Sequence, residues 1–153
     1  MNDPKLAAIR NSRRSLAVAI FAGTHLDYAQ VHHLSSSRQK ADDSTVGFIR
    51  WVVATFEVGS VALEQGSDEN NSRSADLHRL ILKTLREAGV SIWTASKRQL
   101  FEAYSIPPIK TRQQLRAIAT SCWPVLASRG GGGLCLDAAA LGLYVETERL
   151  FLP

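Results

Sequence analysis

The order of short apolar runs and helical patterns is the feature that most limits the folds open to this chain. Residues 16–21 form an apolar run and residues 26–34 a second strand-like segment, and the glycine-containing turn between them is typical of a β-hairpin. Residues 58–63 and 90–93 are two more short apolar segments. Helical periodicity occupies the intervening and following positions, at 46–56, 75–88, 96–103, 111–123 and 134–150. Strands first, followed by alternating helices and strands, predict an α/β fold, a mixed sheet with helices on both faces.

Single residues suggest where these helices begin and end. Ser44 is predicted to cap the first helix, Gly89 to end the second, and Pro124 to end or kink the fourth. Trp51 and Trp93 lie in apolar periodic segments, so we expect them to fill the core or an interface.

Composition bounds the class of protein. A chain of 153 residues with 45% hydrophobic residues is expected to fold as one domain, 1–153. No run approaches the roughly 20 apolar residues that span a bilayer, and residues 1–14 lack the apolar stretch of a secretory signal. These features predict a soluble, cytoplasmic protein. Cys122 and Cys135 have no metal-binding spacing with histidine and are expected to be buried free thiols.

The positive charge is unevenly distributed, although the net charge is only +4. Basic residues crowd two segments, and these residues are Lys5, Arg10, Arg13, Arg14, Lys97, Arg98, Lys110, Arg112 and Arg116. Such clusters suit a polyanionic partner such as nucleic acid, but solvated charged faces are about equally common.

Three motifs, in this order and spacing, resemble those of the RuvC-type Holliday junction resolvases. Residues 61–65 (VALEQ) are similar to the motif in which Glu64 would end the central strand. Residues 136–141 (LDAAAL) resemble the motif in which Asp137 would open an alanine-rich helix, and residues 9–20 (IRNSRRSLAVAI) resemble the first motif. The resemblance covers nearly the whole chain and implies a ribonuclease H-like fold, a DNA partner and, by analogy, a homodimer.

Two positions depart from that family's acidic set. The resemblance calls for an Asp at the end of the first strand, where Arg10 stands here. A second alignment, which starts the first strand at residue 16 instead of near residue 5, places Phe21 there. The family also has an acid or His one helical turn before its final Asp, and Leu134 occupies that place. Of four expected metal ligands, Glu64 and Asp137 remain.

These departures bear on catalysis. The resemblance implies cleavage of phosphodiesters with two Mg²⁺ ions, which need several anionic oxygens in near-octahedral array. Because a guanidinium is always charged and repels a divalent cation, we hypothesise that Arg10 pairs with Glu64, Asp137 or both and replaces the metal. The alternatives are a surface arginine at position 10, a solvated carboxylate at the end of a strand, and an acid favoured by a helix N-terminus.

Five basic residues fall where the family would contact phosphates: Arg13, Arg14, Lys97, Lys110 and Arg112. Point charges of this kind suit salt-sensitive binding of the DNA backbone, and ordinary solubilising charge is the alternative for each of them.

The sequence therefore predicts a RuvC-like nucleic-acid-binding protein, a degenerate nuclease with weakened or lost cleavage of branched DNA. One alternative is an active Mg²⁺-dependent, structure-selective endonuclease that uses Glu64 and Asp137 as catalytic metal ligands. The other alternative is a scaffold or interaction protein without enzymatic activity.

Overall fold

A computed structural model describes residues 4–65, 72–130 and 132–151. Five strands form one mixed sheet in the spatial order β3-β2-β1-β4-β5. The strands are β1 (Lys5–Asn11), β2 (Ser15–Ala22), β3 (His25–His33), β4 (Val58–Glu64) and β5 (Ser91–Ala95). The first three pair antiparallel, whereas β4 runs parallel to both β1 and β5.

Helices cover both faces of this sheet. They are α1 (Arg38–Thr55), α2 (Arg73–Ala88), α3 (Lys97–Tyr104), α4 (Arg112–Cys122) and α5 (Leu134–Leu150), with a 3₁₀ turn at Pro124–Ser128. The predicted mixed sheet with helices on both faces is thus confirmed.

Small side chains let α5 approach the sheet closely. Strand residues on this face include Ala8 and Ala62, and the helix presents further alanines and Gly142. A Cβ on Gly142 would lie only 2.4 Å from Cε2 of Phe21 and 3.1 Å from Cβ of Ala8. The helix that carries Asp137 is therefore fixed against the central strands by the absence of side-chain volume.

The opposite face packs against α1 and α2 through larger apolar side chains. Ile9, Val18 and Leu63 of the strands meet Ile49 of α1 and Leu85 of α2. Alternate residues of each central strand thus enter two separate cores, as expected for strands buried on both faces.

The predicted β-hairpin is present as β2 and β3, and the first strand begins at Lys5 rather than at residue 16. The prediction that Ser44 caps the first helix is wrong. That helix begins at Arg38, and Ser44 lies inside it. The charged segment before Ser44 continues the helix because Ala41, one turn earlier, is buried against the core.

The other helix boundaries agree with the sequence. Gly89 ends α2 in the left-handed conformation, with φ of 75°, and the helix after Pro124 is a separate 3₁₀ turn. Most of the predicted polar loop after Glu64, at 66–71, lies outside the described residues.

One burial prediction is wrong, because Cys122 is exposed at the end of α4. Trp51 is 46% exposed beside Phe48 and Phe56, so it does not fill the core, and its place in an interface stays a prediction. Within the described residues, no helix has the length and apolarity required to cross a membrane.

Candidate functional site

The central feature of the site is the edge of the sheet where β1 and β4 end together. These strands are parallel, with Ile9 opposite Leu63, so Arg10 and Glu64 follow at neighbouring positions. Because side chains alternate along a strand, both point away from the face that buries Ile9 and Leu63. Ligands of open α/β sheets commonly bind at such carboxyl ends.

Glu64 is held between two arginines. Nη1 of Arg10 lies 2.7 Å from Oε2 in an ion pair. Arg112 donates Nη1 to Oε1 at 3.0 Å and Nη2 to Oε2 at 2.8 Å. The Glu64 side chain is only 6% exposed. The expected ion pair of Arg10 with Glu64 is therefore present, and Arg112 adds a bidentate pair to the same carboxylate.

Asp137 is held in the same manner by a third arginine. Arg116 donates Nε to Oδ1 at 3.0 Å and Nη2 to Oδ2 at 2.7 Å, while the Asp137 side chain is 1% exposed. The hydrogen bonds with Asp137 raise the pKa of Arg116 above its ordinary value. Gly133 leaves room for this arrangement, since a Cβ there would lie 2.8 Å from both Cδ and Nε of Arg116.

Helix α4 presents both of these arginines on one face. Arg112 is the first residue of the helix and Arg116 follows one turn later, so their side chains emerge together. Thr111 fixes the start of the helix with a capping box that includes Gln114. The Arg112 guanidinium also lies 5.7 Å from the centroid of the Phe101 ring, which restrains its plane.

Sequence reasoning did not identify Arg116 as a site residue. The sequence does contain a signal for it, because Arg116 lies four residues after Arg112 and this spacing predicts a shared helix face. Its partner Asp137 is 21 residues away in the chain, a pairing that periodicity does not reveal.

A cleft of about 580 Å³ opens at this edge of the sheet, and we call it the basic cleft. Its charged lining residues are Arg10, Glu64, Arg79, Lys97, Arg98 and Arg112. His78 also lines it, and burial, followed by the charges of Arg10 and Arg79, lowers the pKa of His78 below 6.5. The described residues thus form a concave surface with more positive than negative charge.

Two of the five basic residues predicted to contact phosphates, Lys97 and Arg112, line the cleft. Arg13 and Arg14 do not line it and are exposed in the turn after β1, at the same edge of the sheet. Lys110 is exposed just before α4.

The described residues do not fit a pair of Mg²⁺ ions. In the part of the chain that the structure describes, no three Asp, Glu, His or Cys side chains are grouped to hold a metal. All four carboxylate oxygens of Glu64 and Asp137 accept hydrogen bonds from arginines. A metal ion at either carboxylate would have to displace these guanidinium groups, and each carboxylate alone offers two of the several oxygens that Mg²⁺ needs.

The fold is similar to solved structures of Holliday junction resolvases. The Thermus thermophilus RuvC structure superposes with a TM-score of 0.74 at 17% identity, covering 95% of this chain and 96% of that one. T. thermophilus RuvC in complex with its Holliday junction substrate gives 0.76 at 16% identity, covering 97% of both chains. The yeast mitochondrial Holliday junction resolvase Ydc2 gives 0.67 at 7% identity, covering 95% of this chain and 82% of that one.

No protein-family model matches the sequence, and no curated protein shows significant sequence similarity to it. The structural likeness covers the chain almost from end to end, so the predicted ribonuclease H-like fold is confirmed.

Proposed function

We propose that this protein is a RuvC-like nucleic-acid-binding protein that binds branched or duplex DNA, with metal-dependent cleavage weakened or lost. The observation that carries the proposal is the capture of both remaining carboxylates by arginines, Glu64 by Arg10 and Arg112 and Asp137 by Arg116. Two-metal hydrolysis needs those oxygens for the ions that activate water and stabilise the leaving group. A guanidinium neutralises a carboxylate but offers no position at which a water could be activated.

The distribution of basic residues supports DNA binding. Arg13, Arg14 and Lys97 follow the carboxyl ends of β1 and β5, and Lys110 precedes α4 near the same edge of the sheet. Exposed cations along one edge suit the phosphates of a nucleic-acid backbone, without base-specific readout. The T. thermophilus RuvC of similar fold was solved with a Holliday junction substrate. A branched duplex is therefore the first candidate ligand to test.

Further parts of the proposal rest on sequence and analogy. We propose that residues 1–153 act as one domain, that the protein functions as a homodimer in the cytoplasm, and that it uses no Mg²⁺ as a resident cofactor.

A cleavage assay tests the loss of catalysis. The protein is incubated with a labelled four-way junction in Mg²⁺ and, separately, in Mn²⁺, beside the Glu64→Gln variant. We expect intact junction in every lane, because neither carboxylate is free to hold an ion. Cutting by the wild type that disappears in Glu64→Gln would instead make the protein an active resolvase.

A gel-shift titration across salt concentrations in EDTA tests the binding half of the proposal. We expect a shift at low salt, and a salt slope that falls by about 2 when Arg13 and Arg14 are both changed to Gln. The matched control changes Arg50 and Lys83 to Gln, since these exposed cations lie in the second halves of α1 and α2, toward the opposite edge. No shift at low salt would favour a scaffold role.

A further inference from the structure

The charges that line the basic cleft do not balance. Among the described residues, five Arg or Lys side chains line it against one carboxylate, that of Glu64. Two of the five pair with acids outside the lining, Arg79 with Asp76 and Arg98 with Glu102. Arg10 and Arg112 share Glu64, which leaves one positive charge in excess, and within the described residues Lys97 forms no ion pair. Among its described lining residues, the cleft therefore has two positive charges without an acidic partner.

The guanidinium groups that hold Glu64 also have unused donors. An arginine carries five N–H groups. Arg112 contacts Glu64 through both terminal nitrogens, whereas Arg10 contacts it through Nη1 alone. Nε of Arg10 is buried without a hydrogen-bond partner among the described residues. Arg10 therefore has donors that its ion pair with Glu64 leaves unused.

The helices that begin near the cleft show the same imbalance. Lys97 and Arg98 open α3 and Arg112 opens α4, and neither helix has an acid in its first turn. Cations at a helix N-terminus oppose the helix dipole, so this placement destabilises both helices in isolation. Bound negative charge in the cleft would reverse that effect at both helices.

We propose that the basic cleft binds one phosphate group of a nucleic-acid strand directly through Arg10, Lys97 and Arg112, without a divalent ion. The proposal rests on the proposed function and states how DNA enters the site. A phosphate offers tetrahedral anionic oxygens that match the guanidinium fork, and the cleft volume of about 580 Å³ is that of a small-ligand site. An internal phosphodiester and a terminal phosphomonoester share this chemistry.

The test follows the arginine side-chain and His78 resonances of the full-length protein by NMR in EDTA. Inorganic phosphate is titrated first, then single strands with either a 5′-phosphate or a 5′-hydroxyl group. We expect shifts of Arg10 Nε and of the His78 ring with each phosphate-bearing probe. Tighter binding of the 5′-phosphorylated strand would identify a terminal monoester, and equal binding an internal diester.

Three variants decide whether the cleft is the binding site. We expect Arg10→Gln to weaken phosphate binding about tenfold, as for loss of a charged hydrogen bond. Lys97→Gln should weaken it about threefold, since an exposed charge contributes less. Lys97 is in no ion pair among the described residues, so its variant stays informative if Arg10→Gln fails to fold. Arg50→Gln is the control and should bind phosphate as the wild type does.

The inference is overturned if phosphate leaves these resonances unmoved, or if Lys97→Gln binds as tightly as Arg50→Gln. This failure is distinguishable from failure of the proposed function. A four-way junction that still shifts in the Lys97→Gln variant at wild-type affinity keeps DNA binding and removes the cleft from it. Phosphate binding in the cleft without any junction shift would support the site and reject branched DNA as its ligand.

Discussion

Replacing Arg116 with Met tests whether the arginines are structural counter-ions of the acids. Asp137 is 1% exposed and both of its carboxylate oxygens accept from Arg116, so the variant leaves a buried, uncompensated carboxylate. Breaking a buried pair by removing one partner costs about 3 to 5 kcal/mol. Arg116 is 25% exposed and Asp137 lies in the first turn of α5, so the low end applies, about 3 kcal/mol.

Urea unfolding followed by circular dichroism measures this effect. With a slope of about 2 kcal/mol per molar urea, the midpoint should fall by about 1.5 M. The double variant Arg116→Met with Asp137→Asn removes the buried charge as well and should recover more than half of the loss. Arg98→Met, which breaks an exposed pair with Glu102, is the control and should leave the midpoint unchanged. Equal or greater destabilisation of the double variant than of Arg116→Met would refute the reasoning.

Three further predictions concern packing, pH and thiol reactivity. Gly142→Ala should destabilise the fold by about 1 to 3 kcal/mol in the same urea assay, because its Cβ would lie 2.4 Å from Phe21; an unchanged midpoint would contradict this contact. Burial and two neighbouring arginines lower the pKa of His78 from 6.5, so the unfolded state takes up this proton first as the pH falls. Stability should therefore decline below about pH 6.5, and His78→Gln should reduce that decline. A thiol reagent should modify Cys122 rapidly and Cys135 only on unfolding, since Cys135 is buried and burial raises its pKa; two fast thiols would disprove this.

Much of the fold follows from local sequence patterns, and its exceptions have physical causes. The hairpin, the strand that ends at Glu64 and the bounds of α5 were predicted because their periodicities are strong. The sequence does not decide where the first strand begins, because β1 has only four consecutive buried apolar residues, 6–9. The start of α1 was missed because its first turns are polar and exposed, with Ala41 as the main buried contact.

The site was predicted only in part because its pairings are tertiary. The motifs singled out Arg10, Glu64 and Asp137, and the first two do meet. Arg112 lies 48 positions from Glu64 in the sequence. It was expected to contact phosphate, and in the structure it pairs with the Glu64 carboxylate. No local pattern encodes such a pairing, since it depends on where α3 and the proline-containing segment after it place the start of α4.

Fixed arginines and bound metal ions neutralise the same carboxylates with different consequences. A metal ion occupies its site according to its concentration and affinity, whereas Arg10, Arg112 and Arg116 are tethered and charged under all ordinary conditions. A metal ion can also lower the pKa of a bound water and expand its coordination in a transition state. A guanidinium can do neither, but its outward N–H groups remain able to receive phosphate oxygens. Under the proposed function, the arginines at the end of β1 and on α4 would therefore recognise a phosphate at this edge of the sheet without supplying the means to hydrolyse it.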